Sequence, residues 1–424
     1  MKSKWILGHP SLVQSKTVNS YCCPFGPVTT LPTTENDTTC LAGVSGTIRK
    51  LYVKMPSGPG AGATYTYTVY VNGSPTSLSC TVTNTSPYQA SDIVNSASVT
   101  AGQTISLACI PSPSPNPANN PGFAFCMEFE GTTDGQTTFG GGTGTNLLGT
   151  AACYFPAWGH AAISTATRNN KEIVMPCAGK IKGLYVKLNT APGDTYSRTF
   201  RVIKNGSATG TPSVTISNTD TTGSDTSTEL SVVAGDVICG FMALSTGATN
   251  SAVKIGVGFE PTTNGNFILA ECHNGAQTST TATRYVPLGT TGFSLTGTEA
   301  NAHGIAGTTD FAIKAQYVQL DTDPATASSS YVFTLRANTS DASNGMTLSP
   351  LSCTIAAGST ANNDTDATGY TPIADYDLIC SKIAPVDGGG GAPVAVRAMI
   401  SYCGYILSGV QSLPVYASDN IDWD

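Results

Sequence analysis

The sequence predicts an all-β protein built as three tandem antiparallel β-sandwich domains of a jelly-roll-like type. Three observations lead there. Charged residues make up only 11% of the 424 positions, and Ser, Thr, Asn and Gly fill the space they leave. That composition suits short strands and turns and disfavours long helices. Apolar and polar residues alternate in short runs, as in TYTYTVYV (64–71), where Tyr65, Tyr67, Val69 and Val71 share one face. The chain also repeats itself: IRKLYVK (48–54) returns as IKGLYVK (181–187), 133 positions later.

From the N-terminus, MKSKWILGHPSLVQSK has an apolar run that stops after Trp5-Ile6-Leu7. A secretory signal needs roughly 7–15 apolar residues, so residues 1–20 are expected to be an N-terminal arm and no signal peptide. A first module is expected over 21–135. Its strand 64–71 ends at Asn72-Gly73, a turn pair that tolerates positive φ. VTAGQTISL (99–107) then reads as a strand, a tight Ala-Gly turn and another strand. The Gly-rich FGGGTGTNLLG (139–149) lacks the strand-before, helix-after setting of a phosphate cradle, so 136–150 is expected to be an interdomain linker.

The second module, 151–265, repeats these signals in order: IKGLYVKLNTAPGDTYSRTFRVIKNG (181–206), then VVAGDVICG (232–240) and IGVGFE (255–260). A third, divergent copy occupies 266–408. IKAQYVQLDTDP (313–324) and DLICSK (377–382) match the second copy, with an insertion around 359–370. The leaders YCCPFG (21–26), YFPAWG (154–159) and YVPLGT (285–290) correspond. The acidic stretch 409–424 is expected to be a tail. Each unit is the size of a domain, too long for a solenoid repeat. In IRKLYVK, Ile48, Leu51 and Val53 are expected to pack and Lys50 and Lys54 to be solvated. Adjacent Leu51 and Tyr52 break alternation, which predicts a bulge near Lys50-Leu51.

Little in the sequence points to chemistry. The net charge is −7 with no Lys/Arg cluster, so no nucleic-acid partner is expected. No run approaches the roughly 20 apolar residues of a spanning helix, so no membrane partner is expected either. His9, His160, His273 and His303 lack ligand spacing, and no cofactor is expected. Glu128 and Glu260 close equivalent copies and could pair for glycoside hydrolysis, but surface-facing strand positions explain them better. Asp364, Asp366, Asp375 and Asp377 could hold calcium, without the EF-hand pattern. The 13 cysteines contain no Cys-x-x-Cys pair and are expected as reduced, buried thiols. Trp158, Ile421 and Trp423 are the candidate assembly contacts. A loop tryptophan could instead stack on a sugar, although it more often fills a groove between packed domains or subunits.

The pattern G-x-I-x-x-L-Y-V-K, A-P-G, N-G and S-V-x-A-G-D, carried best by AGKIKGLYVKLNTAPGDTYSRTFRVIKNG (178–206) and ELSVVAGDVI (229–238), resembles modules of structural proteins of environmental tailed phages. The resemblance implies a virion component, made in the host cytoplasm, that acts by assembly as a capsid decoration, head-fibre or tail-associated protein. It implies no catalytic residues. The partners expected are copies of the same chain, with a trimer among the open arrangements, and other virion proteins. Two alternatives stand beside it: a carbohydrate-binding adhesin with a glycan as ligand, and a subunit of an extracellular filament or surface layer.

Overall fold

A computed structural model describes residues 2–9, 14–25, 31–133, 136–144, 148–149, 151–160, 168–271, 278–288, 295–302, 304–305, 311–325, 328–337, 347–365, 371–372, 378–389 and 391–406. Among these residues there is no α-helix; three short 3-10 turns (Glu35–Asp37, Arg168–Lys171, Glu299–Ala302) occupy equivalent places in the three repeats.

The first module comprises β1 (Lys2–His9), β2 (Ser20–Cys22), β3 (Cys40–Leu41), β4 (Gly46–Lys54), β5 (Thr64–Val71), β6 (Ser74–Thr83), β7 (Gln89–Val99), β8 (Thr104–Pro111) and β9 (Phe123–Gly131). One sheet runs β1-β9-β4-β7, the other β2-β8-β5-β6 with β3 also on β8. First pairs with last, second with second-last, and β5 with β6 at the centre. This nesting of a folded-over hairpin is jelly-roll connectivity.

The second module comprises β10 (Thr137–Gly142), β11 (Cys153–Phe155), β12 (Gly159–His160), β13 (Ile173–Val174), β14 (Gly179–Leu188), β15 (Gly193–Lys204), β16 (Ser213–Asn218), β17 (Thr222–Val232), β18 (Val237–Leu244) and β19 (Val253–Pro261). Its sheets run β12-β10-β19-β14-β17 and β11-β18-β15-β16, with β13 on β18. The pairing of β10 with β12 is parallel and two residues long.

The third comprises β20 (Asn266–Glu271), β21 (Arg284–Pro287), β22 (Gly304–Ile305), β23 (Phe311–Leu320), β24 (Ser330–Ala337), β25 (Thr347–Ala356), β26 (Ala361–Thr365), β27 (Thr371–Pro372), β28 (Leu378–Val386) and β29 (Ala398–Ile406). Its sheets run β20-β29-β23-β26, with β27 on β23, and β21-β28-β24-β25, with β22 on β28.

Two expected boundaries are corrected. The segment 1–20 is more than an arm, because β1 lies along β9 in the first module's own sheet. Nor is 136–150 simply a linker, because β10 is an inner strand of the second module, paired with β19. Its glycines are strand residues with a packing role: a Cβ on Gly141 would sit 2.6 Å from the Gly159 carbonyl oxygen. Each module therefore begins one strand earlier than its Tyr-Pro leader, and β10 and β20 begin at residues 137 and 266, close after β9 ends at 131 and β19 at 261. The tail 409–424 lies outside the described residues.

The local signals are realised. Asn72-Gly73 and Asn205-Gly206 all have positive φ and turn β5 into β6 and β15 towards β16. Gly102 (φ 85°) and Gly235 (φ 89°) turn β7 into β8 and β17 into β18. The expected bulge occurs in all three repeats, with register shifts at Arg49/Leu51, Lys182/Leu184 and Ile313/Ala315. It lets Ile48 and Leu51, three residues apart, face inward together with Val53, and all three are fully buried. Tyr65, Tyr67 and Val69 meet them from the opposite sheet. In the third module Gln316 replaces the leucine, and its Nε2 donates to Tyr402 Oη at 3.2 Å, with Ser381 Oγ 2.8 Å from the same oxygen.

Candidate functional site

The last strand of each module is buried on both faces. In β9, Phe123, Phe125, Met127 and Phe129 fill the sandwich, yet Ala124, Cys126 and Glu128 on the other face are buried too. A solvated sheet would alternate, so something covers this face. The cover is another module of the same chain. Strand β3 of module one packs on β19, β10 and β14 of module two. The equivalent β13 of module two packs on β29, β20 and β23 of module three. The equivalent β22 of module three packs on β1 and β9 of module one. One type of head-to-tail contact, repeated three times and closing on itself, gives a ring with pseudo-threefold symmetry.

The tyrosine of the repeated motif faces these seams. Tyr52 belongs to the apolar cluster of module three. A Cβ on Gly102, in the Ala-Gly turn of module one, would lie 3.0 Å from the Tyr185 ring. Tyr317 stands beside Cys177 of module two and Cys403, with burial the main cause of its raised pKa. The Leu-Tyr pair thus sends leucine into its own sandwich and tyrosine towards the neighbour.

Seam one–two is held by close backbone approach. The Gly43 amide donates to Thr138 Oγ1 at 2.7 Å. A Cβ on Gly256 would overlap the Leu41 carbonyl, and one on Gly258 would sit 2.7 Å from Val44 Cγ1 and 3.2 Å from the Gly43 carbonyl oxygen. At the rim, buried Lys254 donates to Asn36 Oδ1 at 2.7 Å and also to Asn189 Oδ1. Burial, then the charge of Lys187, brings its pKa down to about 8 against the pull of Asp37 and Glu35.

One register position shows three chemistries. Glu128, Gly258 and Cys403 each precede the residue that faces Ile48, Ile181 or Ile313 across the ladder. In seam three–one this position is the Glu128 carboxylate, fully buried, with Arg49 Nε at 2.6 Å and Lys50 Nζ at 3.3 Å. In seam one–two it is glycine. In seam two–three it is a thiol whose ionisation is coupled to that of the Cys177 thiol of module two.

Trp158 is 3% exposed, 5.6 Å from the Phe25 ring of module one and 5.7 Å from the Phe139 ring of module two. It fills a groove between modules of one chain, the domain-packing place expected for such a tryptophan rather than an exposed sugar platform. Ile421 and Trp423 lie outside the described residues. Glu128 is not surface-facing as expected, and Lys54, expected to be solvated, is buried; both lie on the face that module three covers. Glu260 is held below the usual carboxylate range by Lys182, 3.1 Å away, and by Gln136, the opposite of what a general acid needs.

Among the described residues no three His, Cys, Asp or Glu side chains converge as metal ligands. The side chains of all four histidines lie outside the described residues, as do those of the four candidate calcium aspartates. The twelve described cysteines are buried, as expected; Cys272 lies outside the described residues. Sequence reading missed the seam. Its signal was the small residues at alternate positions of the closing strands, Ala124 and Cys126, Gly256 and Gly258, Ser401 and Cys403. No protein-family model matches this chain, and no curated protein matches it in sequence.

Proposed function

We propose that this chain is a virion structural protein that acts by assembly, as a capsid decoration, head-fibre or tail-associated component. The observation that carries the reading is the closed ring of three jelly rolls with buried seams. Interfaces between domains of one chain are commonly polar and permit relative motion. Here they are packed like a sandwich core, which suits a stiff building block better than a protein whose domains must move. The resemblance of the repeated motif to phage structural modules supports the same reading.

The ring also bears on stoichiometry. One chain supplies the three-module arrangement for which a single-module protein would need three copies. A particle site with local threefold character would therefore take one chain, and self-association is not needed to make the ring. Antibodies raised against the chain should label intact phage particles at fixed positions in electron micrographs. A monomer that binds neither capsids nor tails, with labelling confined to cell surfaces, would overturn the proposal and favour the surface-layer reading.

A further inference from the structure

We propose that Cys177 and Cys403 form a peroxide-sensitive modification site, at which oxidation ties module two to module three through a disulfide. The two thiols come from different modules, lie buried in one apolar cluster, and are near enough to influence each other's ionisation. The packing around them supports this placement: Cys177 follows β13, and β13 lies against β29, which carries Cys403. An independent observation is the same site one seam earlier. There the equivalents of Cys177 and Cys403 are Val44 and Gly258, and a Cβ built on Gly258 lies 2.7 Å from Val44 Cγ1. The seam geometry thus brings these two positions together whatever their chemistry.

The two sulfurs are set up for different roles. The Cys177 thiol and the nearby charge of Lys314 lower the Cys403 pKa against the opposing effect of burial, while the Cys177 thiol is pushed up. The thiolate is the form that reacts with peroxides. Cys403 thiolate attacks one oxygen of hydrogen peroxide, the O–O bond breaks, and a sulfenic acid and hydroxide form. Cys177 sulfur then displaces the sulfenic oxygen, which leaves with the Cys177 proton as water. Two thiols and one peroxide give one disulfide and two waters, and the peroxide takes both electrons. Cys403 is 1% and Cys177 6% exposed, so a water-sized oxidant reaches them more readily than a bulky disulfide. Cys22 and Cys109, where burial and the Cys22 thiol both raise the Cys109 pKa, lie within one module and would join nothing.

The test exposes the full chain to hydrogen peroxide, alkylates remaining thiols, digests without reduction and maps the peptides by mass. The expected result is a peptide pair joined through Cys177 and Cys403, lighter by two hydrogens than its parts, with alkylation lost at both. Cys177→Ser should lose the cross-link and let Cys403 proceed to sulfinic acid. Cys403→Ser should leave Cys177 alkylatable. Sulfinic acid on Cys403 of the unaltered chain with Cys177 still alkylatable, or both thiols still alkylatable, overturns the proposal.

Discussion

Asp92 in module one and Asp225 in module two stand 133 residues apart and make the same bonds. Asp92 Oδ2 accepts the Ser79 amide at 3.0 Å, and its Oδ1 accepts the amides of Val94 and Asn95 at 3.1 and 2.9 Å. Asp225 Oδ2 accepts the Ser213 amide at 3.0 Å, and its Oδ1 those of Ser227 and Thr228 at 3.1 and 3.0 Å. Each aspartate sits where the edge strand bulges opposite Lys50 or Gly183. One oxygen caps the bulge and the other crosses to a strand of the second sheet, so one carboxylate pins the two layers together.

This pin makes stability acid-sensitive. Burial opposes ionisation of Asp225, but the amides of Ser213, Thr228 and Ser227 outweigh it and hold the pKa well below its usual value. As pH falls, the unfolded chain takes up this proton first, near pH 4. The stability contribution is therefore complete above that pH and is lost as pH falls towards the folded-state pKa. Asp225→Ala should cost about 1–3 kcal/mol at pH 7, and less at pH 3. Urea unfolding at both pH values reads the difference; an equal cost at both would contradict the assignment.

Trp158 fills the groove between modules one and two, against Phe25 and Phe139. Trp158→Ala should cost about 3–5 kcal/mol through lost burial and the cavity left behind. The damage should centre on the seam, so amide exchange should rise at both Phe25 and Phe139. Exchange confined to module two would show that the ring contributes nothing at this residue.

How far the fold could be read from sequence depended on what each signal reports. The bulge was legible because Leu51 and Tyr52 are adjacent, and the turns because Asn72-Gly73 and Ala101-Gly102 have turn chemistry. The first strand of module two was not. Phe139 is its sole large apolar residue, and glycine runs are usual in linkers. Its partner β19 lies more than a hundred residues away. Glu128 and Lys54 misled for a related reason: period-2 alternation says which residues share a face, not what covers it. Covering one sandwich with the next is a long-range event that leaves only small residues on the covered face.

Those small residues give a sharp comparison. Gly256→Ala adds a methyl where the Leu41 and Ala42 backbone of module one already stands. It should destabilise by at least about 1–3 kcal/mol, the usual cost of overpacking, because the nearest obstacle is backbone. Gly149→Ala meets nothing within 4 Å and should leave the thermal midpoint near that of the unaltered chain. Equal behaviour of the two variants would mean that module one does not press on β19.

Lys254 should make stability rise with pH as the aspartates do, but in the alkaline range. Burial brings its pKa to about 8 in the folded chain, while the unfolded chain keeps the ordinary lysine value near 10.4. Between those values the unfolded state binds more protons, so stability rises with pH across that window and levels off above it. The rise traceable to this lysine is on the order of 3 kcal/mol. Other lysines and tyrosines also titrate there, so the measurement is the difference between the unaltered chain and Lys254→Met, unfolded in urea at pH 7.5 and 10. That difference should shift in favour of the unaltered chain at the higher pH. A constant difference would mean that the ammonium at the rim of seam one–two is solvated, and that Asn36 and Asn189 do not hold it in a buried site.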